Sequence, residues 1–365
     1  MRRVVAVSAL LLLAGLQAGN TQGPALELLT TLETGDDLAV LAAWSPDGQR
    51  LAYATEKQVK ERKPPTLDDR ETYRYPGEVW LTNFTDKPKR LFKHERFRDW
   101  VGNVPSYYVT RLDWSPDGLK LAVEVTDETG ESAVFLITAE GKAVRIPSSR
   151  ANTYPGYGAD WLGDSESVVL LNEASKPRLL HNVYLLRVTA GRDLGLFRGK
   201  TFAAAAWLPK AHKAALVEQD RNYADPPQLV LGDLEKGTLE PLDPLEDGYL
   251  GGLAATPDES KVSYFVGQNK LAVRGLAAAD PVEQWPIPLG RYQWLDSKSL
   301  LFLEPEERGG RTGWLTIYDR TSDAKTRLLP ETVLHDFWVS PEGTRLAVLT
   351  AGPTPHLRIY KLPLR

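Results

Sequence analysis

An apolar stretch, a turn-forming cluster and an alternating stretch follow one another again and again along this chain. The clearest copies are Ala43-Trp44-Ser45-Pro46-Asp47-Gly48-Gln49-Arg50-Leu51-Ala52 and Asp113-Trp114-Ser115-Pro116-Asp117-Gly118-Leu119-Lys120-Leu121-Ala122. After the second, alternation continues through Val123-Glu124-Val125. A period of two marks a half-buried strand, so each copy reads strand, tight turn, strand. Ser, Pro and Asp suit the first three places of a type I turn. Gly then supplies the left-handed residue that closes a hairpin with a bulge.

Weaker copies share the phrase. Trp161-Leu162-Gly163-Asp164, Trp207-Leu208-Pro209-Lys210 and Trp294-Leu295-Asp296-Ser297 keep the indole and the turn. Ala255-Thr256-Pro257-Asp258 and Val339-Ser340-Pro341-Glu342-Gly343 keep the proline. The Trp-equivalent positions are 44, 114, 161, 207, 255, 294 and 339, giving steps of 70, 47, 46, 48, 39 and 45 residues. A period of roughly 45 matches a propeller blade of four short strands. The long step marks an insertion over 56–76.

Each interval supplies strands for one blade. In the second, these are Arg111–Trp114, Leu119–Val125, Ser132–Thr138 and Ala143–Ile146. The last interval has only Phe337–Val339, Arg345–Thr350 and His356–Leu362, and Leu26–Leu32 ahead of the first repeat has no blade of its own. Pairing the two closes the ring and removes open sheet edges. The expected fold is therefore all-β, a seven-bladed β-propeller closed by an N-terminal strand. Six blades is the alternative, if the copy at Ala255 does not make a full blade.

The Trp-Ser-Pro-Asp-Gly-x-x-Leu-Ala phrase resembles the repeat of TolB-like, or WD40-like, propellers, and the resemblance covers roughly Leu38 to Arg365. It implies the propeller fold and leaves function open. There is no Gly-x-Ser-x-Gly nucleophile elbow such as the related peptidases carry. Nor is there a segment matching the domain that precedes the propeller in TolB. The Gly-His and Trp-Asp dipeptides of true WD repeats are absent as well. The expectation is a stand-alone propeller over 19–365.

Arg2-Arg3, an apolar run from Val4 to Leu16 and Gln17-Ala18 read as a secretory leader over 1–18, cut after Ala18. The run is shorter than the roughly 20 residues of a membrane span. A periplasmic or secreted protein, with no integral membrane segment after cleavage and monomeric, is the expectation. There is no cysteine, which excludes disulfides, thiol catalysis and Cys-ligated metal. The net charge of −4 is small and interspersed, so nucleic acid is not an expected partner.

Irregular residues concentrate in the loops opposite the Ser-Pro-Asp-Gly turns. Loops of this kind, rich in Tyr, Trp and Arg, suit an interface. The candidate binding residues are Tyr73, Tyr75, Arg96, Arg98, Trp100, Tyr154, Tyr157, Arg221 and Tyr223. No two of the five histidines, His94, His181, His212, His335 and His356, have the spacing of a metal pair, so no metal and no cofactor is expected. Asp47, Asp117 and Asp258 read as turn acceptors. The repeat tryptophans read as wedges between blades.

Two functions fit this pattern. The first is an exported, non-catalytic binding propeller that holds a protein, peptide or other envelope partner on its loop face. The second is a stand-alone hydrolase or lyase acting on a glycan or lactone. That chemistry needs acids converging on the channel, and Asp113, Asp160 and Asp336 with His335 are the candidates. Asp113 and Asp160 both stand one residue before a repeat Trp. The same place in other blades holds Ala43, Ala206 and Ala254, so the ring of acids is incomplete.

Overall fold

The computed structural model describes residues 21–22, 26–32, 38–56, 59–61, 72–74, 77–93, 107–127, 132–145, 159–175, 178–188, 192–220, 225–245, 248–277, 280–307, 310, 312–352 and 355–362. The regular elements among them are all strands. Strand pairing sorts all but three of them into seven four-stranded antiparallel units. The first blade is Leu38–Trp44, Leu51–Glu56, Gly77–Thr82 and Lys89–Lys93; the second is Tyr107–Trp114, Lys120–Asp127, Ser132–Thr138 and Ala143–Arg145. The third runs from Ala159–Trp161 to Arg192–Leu196, the fourth from Phe202–Leu208 to Thr238–Pro244, and the fifth from Tyr249–Ala255 to Val282–Trp285. The sixth runs from Tyr292–Asp296 to Ala324–Arg327. Val333–Val339, Arg345–Thr350 and Leu357–Lys361 form the seventh, whose fourth strand is Glu27–Leu32, antiparallel to Leu357–Lys361. A ribbon, Val59–Glu61 against Thr72–Arg74, rises within the insertion of the first blade.

The turns work as their residue types require. Gly48 and Gly118 adopt φ of +64° and +69°, which a side chain would oppose. In both copies the serine hydroxyl donates to the turn aspartate and accepts the backbone N–H of Arg50 or Lys120 at 2.9 Å. Thr256, Asp258 and Lys261 repeat the arrangement in the fifth blade.

The core is divided by the seams. Among the described residues there are seven apolar clusters, and each bridges one pair of neighbouring blades, the seventh and first included. The repeat tryptophans lie in these clusters and donate backward along the ring. Trp114 Nε1 bonds Ala43 O at 3.1 Å, Trp161 Nε1 bonds Asp113 O at 3.2 Å, and Trp44 Nε1 bonds Trp338 O at 3.0 Å. In these three seams the acceptor stands one residue before the Trp-equivalent position of the preceding blade, whereas Trp294 Nε1 bonds the Ser263 hydroxyl of the fifth blade at 3.0 Å.

A second stitch runs forward. The basic residue six places after the Trp-equivalent position reaches the next turn: Arg345 Nη1 to Gly48 O at 3.2 Å, Arg50 Nη2 to Gly118 O at 2.9 Å, Lys120 Nζ to Ser165 O at 3.4 Å. Arg50 also lies 5.0 Å from the centre of the Trp114 ring, and Lys120 5.6 Å from that of Trp161. Replacing Arg50 with methionine keeps the stem and removes both interactions. The expected loss is roughly 1–2 kcal/mol, read from the midpoint of urea unfolding. An unchanged midpoint would mean the clasp contributes nothing.

Candidate functional site: the central channel

The innermost strands face a common channel. On one side a cavity of about 1180 Å³ runs along the second to fifth blades, from Tyr249 and Leu250 at one end to Pro116, Pro209 and Pro257 of the turns at the other. A cavity of about 440 Å³ follows the first, second, sixth and seventh blades, and Arg111 borders both. The larger cavity owes its width to sequence. Ala203–Ala206 and Gly251–Gly252 bring almost no side-chain bulk to its wall. At Gly252, with φ +72°, a Cβ would come within 2.6 Å of the Phe265 ring, so glycine is required there.

One wall carries charge. Arg111 and Asp113 lie two residues apart on the innermost strand of the second blade, and Glu124 is buried directly across the strand pair from Arg111. The Arg111 guanidinium ion-pairs with Asp160 of the third blade. Asp113 Oδ2 accepts the backbone N–H of Trp161 at 3.0 Å. Burial, reinforced by the Asp160 charge, pushes Asp113 up to about 7, against the pull of Arg111 and two backbone amides. Asp160 is also raised by burial, although Arg111 and the Trp207 indole pull the other way. Burial disfavours the charge on Arg111, but Asp160, Asp113 and Glu124 together keep its pKa above the ordinary value. The result is a buried brace across a blade seam. Its carboxylates outnumber its cation, and burial raises the pKa of both aspartates.

The structure brings together only some of the candidates. Asp113 and Asp160 share the brace and the large cavity. Asp336 pairs with a different arginine, Arg291, at 2.7 Å, and Arg291 also donates to Phe337 O at 3.2 Å. His335 beside it is exposed. Tyr73 lies in the ribbon strand Thr72–Arg74. Tyr75, Arg96, Arg98, Trp100, Tyr154, Tyr157, Arg221 and Tyr223 lie outside the described residues, as does His94. Sequence reasoning missed Arg111, although its place two residues before Asp113 in a strand puts both on one face.

Among solved structures, the chain resembles the β-propeller domain of the Trilobed protease from Pyrococcus furiosus. The two share 13% identity at a TM-score of 0.56, over 89% of this chain and 93% of that one. Such a likeness shows the fold. The chain is a β-propeller. Similarity also extends to TolB from Acinetobacter baumannii, at 15% identity and a TM-score of 0.48, over 80% of this propeller and 63% of that chain. No family model matches the chain, and no curated protein matches it. The Pyrococcus domain is described as having an open velcro topology, whereas this propeller pairs Glu27–Leu32 with its last blade.

Proposed function

We propose that this propeller is an exported, non-catalytic binding protein that receives a protein or peptide partner of the cell envelope in its channel. The observation that carries this reading is the state of the candidate acids. Asp160 is held by Arg111, Asp336 by Arg291, and Asp113 by the Trp161 backbone, while the widest wall is alanine and glycine. A wide, side-chain-poor cleft suits an extended segment, and Leu250, 49% exposed on its rim, offers an apolar anchor. The Arg2-Arg3 leader supports export, and no described helix is long and apolar enough to cross a membrane.

Leu250→Asp tests the site. As baits on the native envelope fraction, the unaltered protein and the variant are expected to differ at least about tenfold in partner retained, the scale of an interface anchor. Equal retention by both overturns the channel as the docking place.

One observation favours a second reading. Asp113 lines the cavity, and burial raises its carboxyl toward the range that suits general acid–base catalysis on a glycan or lactone. Turnover of such substrates that disappears in Asp113→Asn would promote the enzyme over the binding protein.

A further inference from the structure

The N-terminal segment holds two blades. Ahead of the strand that completes the seventh blade, Thr21–Gln22 pairs in parallel with the outermost strand of the sixth, Thr21 against Thr326 and Gln22 against Arg327. Leu26 then joins the apolar cluster of the sixth–seventh seam. Glu27–Leu32 follows along the outer edge of the seventh. One stretch of chain thus crosses a seam and covers the outer edges of both blades beside it.

The seventh-blade pairing needs that help. Its ladder shifts register between Leu28 and Thr30, and a bulge of this kind leaves a residue unpaired and interrupts the hydrogen bonds. Its ion pair, Glu27 to Lys361 at 3.7 Å, joins two exposed side chains and adds little. The same strand is also the covalent link between the last blade and the first, so its release would leave that seam held by side-chain packing and the two stitches alone.

We propose that Thr21–Gln22 and the strand Glu27–Leu32 form a two-blade latch, in which Thr21–Gln22 on the sixth blade sets how fast the ring can open. Both attachments must release before the first and seventh blades separate. The expected leader cut after Ala18 leaves the latch whole, whereas trimming past Gln22 removes its outer hold. This inference does not depend on what the channel binds.

The test uses the full chain, folded first and then cut at a protease site inserted between Leu32 and Leu38. The released N-terminal peptide stays bound only through its strands. Its dissociation is followed by a fluorophore at its N-terminus, in the unaltered latch and in Thr21→Pro, which removes the N–H that faces the sixth blade, since Leu328 spends its own N–H inward on Leu315 and leaves Arg327 to the outer pairing. Release is expected to be about tenfold faster in the variant, the effect of about one hydrogen bond's net contribution or slightly more. Amide exchange along Ala324–Arg327 is expected to quicken with it. Equal release rates together with unchanged exchange would overturn the proposal and leave an ordinary single-blade closure. A chain shortened to begin at Leu26 provides the second comparison. It retains the seventh-blade strand, so slow opening in that protein would overturn the proposal as well.

Discussion

Trp114→Ala is expected to lose about 3–5 kcal/mol of stability, the cost of emptying a buried aromatic site. The indole is 6% exposed and lies in the cluster that joins the first and second blades. Its Nε1 donates to Ala43 O, and Arg50 covers its ring. Removing it opens a cavity, leaves the Ala43 carbonyl without its cross-seam donor and deprives Arg50 of its platform. Trp114→Phe separates these effects, because it retains most of the volume and loses only the N–H; roughly 1–2 kcal/mol is expected there. Trp80 is the control. It is only half-buried, on a third strand, with Arg90 6.0 Å from its ring centre. Urea midpoints at constant slope give the comparison. If Trp114→Ala costs no more than Trp80→Ala, the repeat indoles are not what holds the seams.

The periodic positions explain why so much of the fold was legible. A hairpin that needs a left-handed glycine, a hydroxyl in front and an acid between has a local solution, and local solutions are written in adjacent residues. The closing strand was legible because Leu26–Leu32 was an unpartnered strand facing a three-stranded last blade. The short step of 39 residues after Ala255 still holds a full blade. The fifth blade has four strands, but its outer two, Leu271–Gly275 and Val282–Trp285, are only five and four residues long. The forward clasp was missed although Arg50, Lys120 and Arg345 stand at one repeat position. Alternation explains a charged residue there by solvent alone, and its real partner belongs to the next blade.

The site was less legible for the same reason. Alternation places Asp113 and Asp160 away from their tryptophans, and both do border the channel. What neutralises them depends on how far one blade is rotated against the next. That rotation is set by packing in the seam clusters and has no local signature. The run Ala203–Ala206 was visible in the sequence, but its meaning as a wide wall appears only when Gly251–Gly252 stands beside it. The Tyr- and Arg-rich loop residues remain proposals of the sequence.

Between about pH 4 and about pH 6.5, buried groups tilt stability in opposite directions. Asp113 is raised from 3.8 to about 7, so its contribution is complete below its ordinary value and is lost as pH rises through about 7. Asp160, also raised, adds to the same sign. His181, fully buried and paired in register with Phe202 where the third and fourth blades meet, is lowered by burial from 6.5 to about 4. Its contribution is present above its ordinary value and is lost as pH falls through about 4. Each group alone would impose a slope of at most about 1.4 kcal/mol per pH unit, with opposite signs. Asp113→Asn should therefore shift the balance toward the histidine, so that a fall in pH across this interval weakens the variant relative to the unaltered protein. His181→Leu should expose the aspartate, and the protein should strengthen over the same fall. The turn acids Asp47, Asp117 and Asp258 are all lowered, so they bring in acid unfolding only below this interval. Urea midpoints of both variants, measured across the interval, decide the matter. Parallel profiles would mean that neither buried group changes its proton occupancy on unfolding.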